Sequence, residues 1–212
     1  LDLDQAPIVP REWKLAQVKN IKMDGDFSDW PKESQIPKFM LGPRGELETA
    51  EIRFGYSPEG LYVGVKMLDS KAFVADPTAF WRAADCMELM FGPIANFKEG
   101  AEWAPSDRQF WLCPLVDQKR VYVGNWSRHG SVTAGEKKVE SFAKRIEGGY
   151  AMEVLIPASE LGNWNPQKGI EMAMSFTVAV KGLRKDREIF WPASKVDNVV
   201  TRPWLWGRIK TE

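Results

Sequence analysis

Short stretches in which apolar and polar residues alternate run through most of this chain. The segment IRFGY at 52–56 is one example, and EMAMSFTVAV at 171–180 is a longer one. Side chains of a β-strand point alternately to opposite faces, so this period of two predicts strands with one buried face. Ser-Pro-Glu-Gly at 57–60 and Gly-Gly at 148–149 are turn sequences that join successive stretches as hairpins. The pattern predicts an all-β sandwich or barrel.

Helical patterns are scarce. Only ASELGN at 158–163 and DPTAFWRA at 76–83 look briefly helical. No repeat of fixed period and no low-complexity linker interrupts the chain, which favours one domain. We therefore expect one β-sandwich domain over residues 20–212, preceded by an N-terminal linker or edge segment at residues 1–19.

Composition excludes several classes of partner. Of the 212 residues, 44% are hydrophobic, so a full core can be buried. The 29 basic and 29 acidic residues cancel, so no net field attracts nucleic acid or an anionic membrane. No apolar run is long enough to cross a bilayer. We expect no nucleic-acid partner and no membrane insertion, and the opening Leu-Asp-Leu-Asp, which lacks Met or a signal sequence, is typical of a processed or excised piece.

The supply of reactive side chains is small. The chain has two cysteines, Cys86 and Cys113, and one histidine, His129. A zinc site built from Cys and His would lack ligands, and a Ser-His-Asp or Cys-His arrangement would depend on His129 alone. The glycine-rich sequences that cradle phosphates are absent as well.

The sequence DGDFSDW places Asp24, Asp26 and Asp29 close together before Trp30. Short polar side chains of this kind close turns and cap brief helical turns. The same carboxylates could hold calcium through their oxygens, although the spacing of an EF-hand is missing. We favour the turn interpretation and keep calcium as the alternative.

Glu88 occupies an unusual position in the predicted strand CMELMFG. It points to the face opposite Met87 and Leu89, beside Cys86 and Met90, and Trp81 precedes the strand. A pyranose ring has an apolar face of C–H groups and a rim of hydroxyls. A site for it needs a flat aromatic platform and a few polar groups.

Trp81 and Glu88 fit that description of a sugar site. The alternative is structural, with Glu88 in a salt bridge to Arg82 or Arg108. We favour binding and include Arg108 among the candidate ligand-binding residues.

Five segments in order give the chain a family resemblance. They are IKMDGDFSDW, EIRFGYSPEGLYVGVKMLD, FWRAADCMELMF, GGYAMEVLIP and PWLWGRI, and together they reach from about residue 20 to the C-terminus. The order resembles the family 9 carbohydrate-binding modules. This resemblance implies a jelly-roll-like antiparallel β-sandwich with few short helices, a secreted, periplasmic or cell-surface location, and attachment to a larger polysaccharide-degrading enzyme. It also implies sugar binding between two tryptophans and structural calcium.

Three residues match the family's site. Trp81 takes the place of one clamp tryptophan, Glu88 that of the carboxylate that hydrogen-bonds sugar hydroxyls, and Asp85 that of the acid before the strand. In the family, the strand beginning Gln-Phe continues with Arg, one residue and Asn. Here Gln109-Phe110 continues with Trp111-Leu112-Cys113, so both polar contacts are replaced. Trp111 could broaden an apolar binding surface or fill the pocket.

The second clamp tryptophan should fall within KVDNVVTRPW at 195–204. Alignment places Val199 or Val200 there, and Trp204 is the nearest aromatic residue. Trp204 is therefore the remaining candidate for the ligand-binding set, which comprises Trp81, Asp85, Glu88, Arg108, Trp111 and Trp204.

A cysteine pair follows from one assumed register. If Glu88 lies opposite Trp111 on an antiparallel neighbour, Cys86 lies opposite Cys113. Directly opposed residues are close enough for a disulfide in suitable geometry. A disulfide in an oxidising compartment and two buried thiols are both open at this point.

The sequence thus predicts a non-catalytic module that binds an oligo- or polysaccharide weakly. The main alternative is a scaffold or interaction module whose pocket Trp111 closes. A haem-binding redox domain using Met or His129 ligands is a further alternative, although most methionines have core-like spacing. Glycoside hydrolysis by Glu88 with Glu153 or Asp85 is disfavoured, because Glu153 alternates outward in an ordinary strand.

Overall fold

The computed structural model describes residues 12–44, 50–68, 72–93, 95–129, 135–180, 187–192 and 201–212. Within these ranges every element longer than four residues is a β-strand. The strands are β1 (Glu12–Gln17), β2 (Gly42–Arg44), β3 (Ala50–Ser57), β4 (Gly60–Leu68), β5 (Cys86–Gly92), β6 (Arg108–Leu115), β7 (Arg120–Trp126), β8 (Gly135–Lys137), β9 (Ser141–Ile146), β10 (Gly149–Pro157), β11 (Glu171–Val180), β12 (Arg187–Trp191) and β13 (Gly207–Thr211).

The described helices are short, as the sequence predicted. One turn of α-helix forms α1 (Phe80–Ala83). The remaining helical turns are of the 3-10 type, at Phe27–Asp29, Lys32–Ser34, Lys38–Met40, Pro77–Ala79, Val116–Gln118, Ala158–Glu160 and Pro203–Leu205. No helix in the described ranges is long and apolar enough to cross a membrane.

The strands form two layers of a jelly-roll-like sandwich. Sheet A has the order β8-β7-β6-β5-β11-β13-β1, with β12 paired to β11 and β2 to β12. Sheet B has the order β1-β3-β4-β10-β9. The predicted hairpins β3–β4 and β9–β10 are both present and antiparallel. The prediction of an all-β sandwich is confirmed.

Strand β1 belongs to both layers. Glu12–Leu15 pair with β13, and Ala16–Gln17 pair with β3, in both cases parallel. The backbone N–H of Glu212 also donates to the carbonyl of Leu15, at 3.1 Å. Residues 12–15 and residues 16–17 each have one paired neighbour, so β1 lies at the edge of both sheets. The boundary at residue 20 between an edge segment and the sandwich stays a prediction.

The core lies between the two sheets and follows the predicted alternation. Met87, Leu89 and Phe91 of β5 face inward and are fully buried, as are Met172 and Met174 of β11. Burial of each such side chain contributes about 1.5–3 kcal/mol. Most methionines therefore act as core-filling side chains.

A loop closes the outer face of sheet B. Phe27 and Trp30 pack over Gly64 of β4 and cluster with Tyr62 and Leu155. A Cβ at residue 64 would already stand 3.2 Å from both aromatic rings. The DGDFSDW sequence therefore forms a lid on the back of the sandwich.

Glu153 anchors this lid from β10. It is completely buried, and its carboxylate accepts hydrogen bonds from Trp30 Nε1 at 2.7 Å, Gly25 N at 2.6 Å and Asp24 N at 2.9 Å. A buried carboxylate requires such partners to offset its desolvation. Burial raises the pKa of Glu153, while the three hydrogen bonds oppose that rise. The prediction that Glu153 is an ordinary surface acid is wrong, because the lid covers its outward-facing side.

Candidate functional site

The outer face of sheet A, which points away from sheet B, is mostly covered by two apolar clusters. The Phe80 cluster lies at one end, and the Trp103 cluster lies at the other. The Phe80 cluster comprises Phe80, Ala84, Cys86, Trp111, Cys113 and Tyr122. The Trp103 cluster comprises Met90, Trp103, Ala173 and Trp206.

Between the clusters a row of side chains remains partly open to solvent. Glu88 of β5 lies opposite Trp111 of β6 and Thr177 of β11, which confirms the register assumed from the sequence. Gln109 of β6 lies opposite Trp126 of β7. Thr177, Glu88, Gln109 and Trp126 are all half-buried, and we call these four residues the strip.

Glu88 and Gln109 are joined within the strip. The side-chain amide of Gln109 donates to the Glu88 carboxylate through a hydrogen bond of 2.6 Å between Nε2 and Oε1. Hydrogen bonds to ionised groups are the stronger kind, so this contact fixes both side chains. The pair presents a carboxylate and an amide side by side, which together can accept and donate hydrogen bonds to neighbouring hydroxyls.

Trp111 is enclosed and does not serve as an open platform. Its ring stacks on Phe80 with centroids 4.9 Å apart and planes inclined by 15°. On the β7 side, a Cβ at Gly124 would overlap the indole. The side chain is only 8% exposed, and its Nε1 has no hydrogen-bond partner in the described structure. The sequence left two roles open for Trp111, and this enclosure favours filling the pocket over broadening an apolar binding surface.

Asp85 is also withdrawn from the surface. It is fully buried, and its carboxylate accepts the backbone N–H of Phe73 at 3.1 Å. The Asp85 N–H in turn donates to the Phe73 carbonyl at 2.6 Å. Asp85 therefore connects the segment around Phe73 to the start of β5 through hydrogen bonds. Its side chain is not part of the strip.

Arg108 points the other way from Glu88. It precedes Gln109 in β6, so it shares the inward side with Phe110, and its Nη1 donates to the carbonyls of Pro105 and Asp107. The alternative of a salt bridge between Arg108 and Glu88 is wrong, because the two side chains leave the sheet on opposite faces. Ligand binding by Arg108 stays a prediction.

The two clamp positions are only partly described. Trp81 lies in α1, next to Phe80 of the cluster, but its side chain and that of Arg82 are outside the described residues. Residues 193–200, which include Val199 and Val200, are outside them as well. Trp204 is half-buried in the 3-10 turn that precedes β13. β13 pairs with β11, the strand that carries Thr177, and the ligand-binding role of Trp204 stays a prediction.

Sequence reasoning missed Gln109, Trp126 and Thr177. A signal for Gln109 was available, because it lies two residues before Trp111 and therefore on the same face as Glu88. Trp126 and Thr177 required the registers of β7 and β11, which the sequence did not specify.

Asp107 lies beside the Trp103 cluster. Its Oδ2 accepts the Ala104 N–H at 2.7 Å, whereas its buried Oδ1 has no hydrogen-bond partner in the described structure. Burial raises the pKa of Asp107 from 3.8 to about 6, against the opposing effects of the Ala104 hydrogen bond and the charges of Arg108 and His129. This carboxyl can therefore exchange its proton in mildly acidic conditions.

The two cysteines are buried together in the Phe80 cluster. Cys86 and Cys113 are thiols in the structure and are not bridged. Met87 of β5 is paired with Leu112 of β6. One further step along the two strands would place Cys86 opposite Cys113. The disulfide therefore stays a prediction about the protein in an oxidising compartment.

The three aspartates of the lid are used as turn and capping residues. Asp24 Oδ1 accepts Asp26 N at 2.8 Å, Asp26 Oδ1 accepts Ser28 N at 3.1 Å, and Asp29 Oδ2 accepts Lys22 N at 2.7 Å. Within the described ranges, no three Asp, Glu, His or Cys side chains gather as a metal site. These contacts agree with the turn interpretation, and calcium binding by Asp24, Asp26 and Asp29 stays a prediction.

Neither the glycosidase nor the haem alternative gains support from these positions. Glu88 and Glu153 lie on opposite outer faces of the sandwich, and Asp85 is buried, so these acids do not form a pair across a common bond. The haem alternative needs an accessible methionine or histidine ligand. Met23 is the one methionine that is not fully buried, and the His129 ring already contacts the Trp103 carbonyl at 2.5 Å.

The fold is similar to those of solved carbohydrate-binding modules. A family 9 module from Caldicellulosiruptor kristjanssonii in complex with cellotriose has a TM-score of 0.65 at 16% sequence identity, over 95% of this chain and 93% of the other. A family 9 module from the same organism in complex with glucose has a TM-score of 0.61 at 15% identity, over 95% of each chain. No protein-family model and no curated protein matches the chain. The structural similarity establishes a family 9-like fold.

Proposed function

We propose that this chain is a non-catalytic carbohydrate-binding module whose ligand lies on the strip across sheet A. The strip combines the Glu88–Gln109 pair with the half-open ring of Trp126. Sugar sites pair an aromatic surface with a few convergent polar groups. The observation that best supports this proposal is the position of the Glu88–Gln109 pair, which lies in the middle of a face that aromatic clusters otherwise cover.

The modules of similar fold support this proposal, since they are described in complex with cellotriose and with glucose. Trp111 is buried and gives the strip no open aromatic ring. We therefore propose weak binding, with Kd between about 10 µM and millimolar, or about −4 to −7 kcal/mol.

We further propose that the module works as part of a larger secreted, periplasmic or cell-surface protein that degrades polysaccharide. Its role there is to hold the glycan near a catalytic domain, and the module itself catalyses no reaction. An assay for release of reducing sugar by the purified chain would test that last point, with no release as the expected result.

Isothermal titration calorimetry tests the binding proposal. The purified chain is titrated with cello-, xylo-, manno- and galacto-oligosaccharides, and the wild type is compared with Glu88→Ala and Trp81→Ala. Glu136→Ala is a matched control, because Glu136 is an exposed acid on edge strand β8. We expect saturable binding to at least one series that Glu88→Ala weakens at least tenfold and Glu136→Ala leaves unchanged.

A second candidate function is a scaffold or interaction module with a closed sugar pocket. The enclosure of Trp111 between Phe80 and Gly124 favours it. A folded protein that binds none of the four series would support this candidate and overturn sugar binding.

A further inference from the structure

We propose that the free edge of β1 is a self-association surface, on which a second copy of this chain pairs through its own β1 in antiparallel orientation. The pairing is centred on Trp13 and places Glu12 of each chain opposite Lys14 of the other. It uses residues outside the strip and is independent of sugar binding.

One side of the first half of β1 has no strand paired to it in the described ranges. The Leu15 carbonyl accepts the Glu212 N–H, so the backbone groups of Leu15 point toward β13. The direction of these groups alternates along a strand, so those of Glu12 and Lys14 point away from β13. Pairing with β3 begins only at Ala16. The outward N–H and carbonyl groups of Glu12 and Lys14 therefore form a free strand edge.

The space beside this edge is open. A groove of about 630 Å³ lies along it, and Glu12, Trp13 and Lys14 are among the lining residues. Trp13 is half-buried, with its ring edge-on to that of Phe54 at a centroid distance of 6.1 Å. Glu33 of the 3-10 turn before β2 lines another part of the groove and is exposed. An incoming strand therefore has room next to β1.

The charges of the edge are complementary to themselves in one symmetric register. Charged side chains on a strand edge oppose pairing when like charges meet. A twofold axis through Trp13 brings each Glu12 opposite Lys14 of the other copy, whereas an axis through either charged residue would oppose like charges. Because Glu12 and Lys14 also carry the outward backbone groups, these opposed pairs are the hydrogen-bonded ones of an antiparallel ladder.

The ion pairs within one chain are compatible with this contact. Lys14 Nζ lies 2.6 Å from Glu212 Oε1, and Arg208 Nη1 lies 3.5 Å from Glu12 Oε1. Glu12 and Lys14 are exposed, and an ammonium or a carboxylate can serve more than one partner. In the dimer these groups form one network in which the signs alternate.

The contact is short, so the association is weak. It buries less than the roughly 800 Å² per partner of a standard interface, and we expect dimers at concentrations between about 10 µM and 1 mM. Opposed residues of paired strands face the same side of a sheet, so the outer faces of sheet A in both copies point the same way. Under the proposed function, two strips then face one polysaccharide, which raises the avidity.

Sedimentation equilibrium of the full chain without sugar, from about 10 µM to 1 mM, tests the inference. Glu12→Lys makes both edge residues basic, and Lys14→Glu makes both acidic. Each variant alone should associate at least tenfold more weakly than the wild type. An equimolar mixture of the two should regain dimerisation, because each basic edge then faces an acidic one. Glu136→Lys and Lys137→Glu are matched changes on edge strand β8 and should leave dimerisation unchanged.

Three results would overturn the inference. They are a wild type that stays monomeric over this range, a mixture of the two β1 variants that does not recover, and an equal loss in the β8 variants. Circular dichroism establishes that each variant is folded, which the exposure of Glu12 and Lys14 favours. Sugar binding is measured separately by calorimetry, so failure of the dimer leaves the proposed function intact.

Discussion

The indole of Trp111 occupies the space in which any side chain at Gly124 would lie. The two residues are directly opposed on β6 and β7, so the ring crosses from its own strand onto the next. Phe80 covers the other face of the ring. This arrangement covers one end of the outer face of sheet A and leaves the residues of the strip half-buried beside it.

Gly124→Ala should lower the free energy of unfolding by about 1–3 kcal/mol, because the added methyl group overlaps the Trp111 ring. Urea denaturation measures this change. Combining it with Trp111→Leu removes the overlap, so the double variant should be less destabilised than the sum of the two single variants. Simple additivity would show that the two residues are not coupled in this way.

Glu153→Gln should destabilise the fold by about 2–4 kcal/mol. The substituted amide has one acceptor oxygen for the N–H groups of Trp30, Gly25 and Asp24, so at least one buried donor loses its partner. Denaturation at neutral pH gives the value. Glu147→Gln in the exposed turn of the same hairpin is the control, and an equally small effect at both positions would contradict an anchoring role for Glu153.

Calcium should leave the stability of the lid unchanged. The oxygens of Asp24, Asp26 and Asp29 accept backbone N–H groups, and no metal-binding group forms among the described residues. Thermal unfolding with EDTA and with added calcium should give the same Tm. Asp26→Ala should cost about 1 kcal/mol in both conditions through loss of a cap. A calcium-dependent Tm that disappears in this variant would restore the calcium alternative.

Cys86 and Cys113 should form a disulfide when the protein folds in an oxidising compartment. Two thiols then transfer two electrons and two protons to a disulfide-exchange oxidant, and the intact mass falls by two hydrogens. The bridge should add about 2–4 kcal/mol of stability. Mass spectrometry of non-reduced, thiol-blocked protein provides the measurement, with protein refolded under reductant for comparison. Two blocked thiols in the oxidised sample would establish the buried-thiol alternative.

Stability should decline as pH rises from about 4 to 6, in part because of Asp107. Its folded-state pKa of about 6 exceeds its ordinary value of 3.8, so the folded protein holds this proton more tightly than the unfolded chain does. The contribution is full below about pH 4 and is lost as pH passes 6. Asp107→Asn should flatten this part of the stability curve, while exposed Asp117→Asn should not. Arg108 and His129 are the neighbouring charges and remain in both variants.

Alternation along single strands was enough to predict the sandwich and the hairpins, whereas the pairing of Glu88 with Trp111 was an assumed register that the structure confirms. Alternation also placed Glu153 on an outer face, but it could not show that Phe27 and Trp30 cover that face from a distant part of the chain. The same limit applies to β1, whose parallel partners are set by tertiary packing. Asp85 was assigned to the site from the family resemblance, and neither the resemblance nor alternation could show that backbone groups hydrogen-bond to Asp85 and Arg108 inside the fold.

The parallel pairing of β1 with β13 determines how the domain would resist mechanical force. Tension that pulls Glu12 and Glu212 in opposite directions runs along both strands, so the hydrogen bonds between Glu12–Leu15 and Arg208–Thr211 are loaded together, in shear. They cannot open one at a time, as they would if the strands were peeled apart. A chain pulled at these two points would therefore stay folded under loads that unzip an ordinary hairpin.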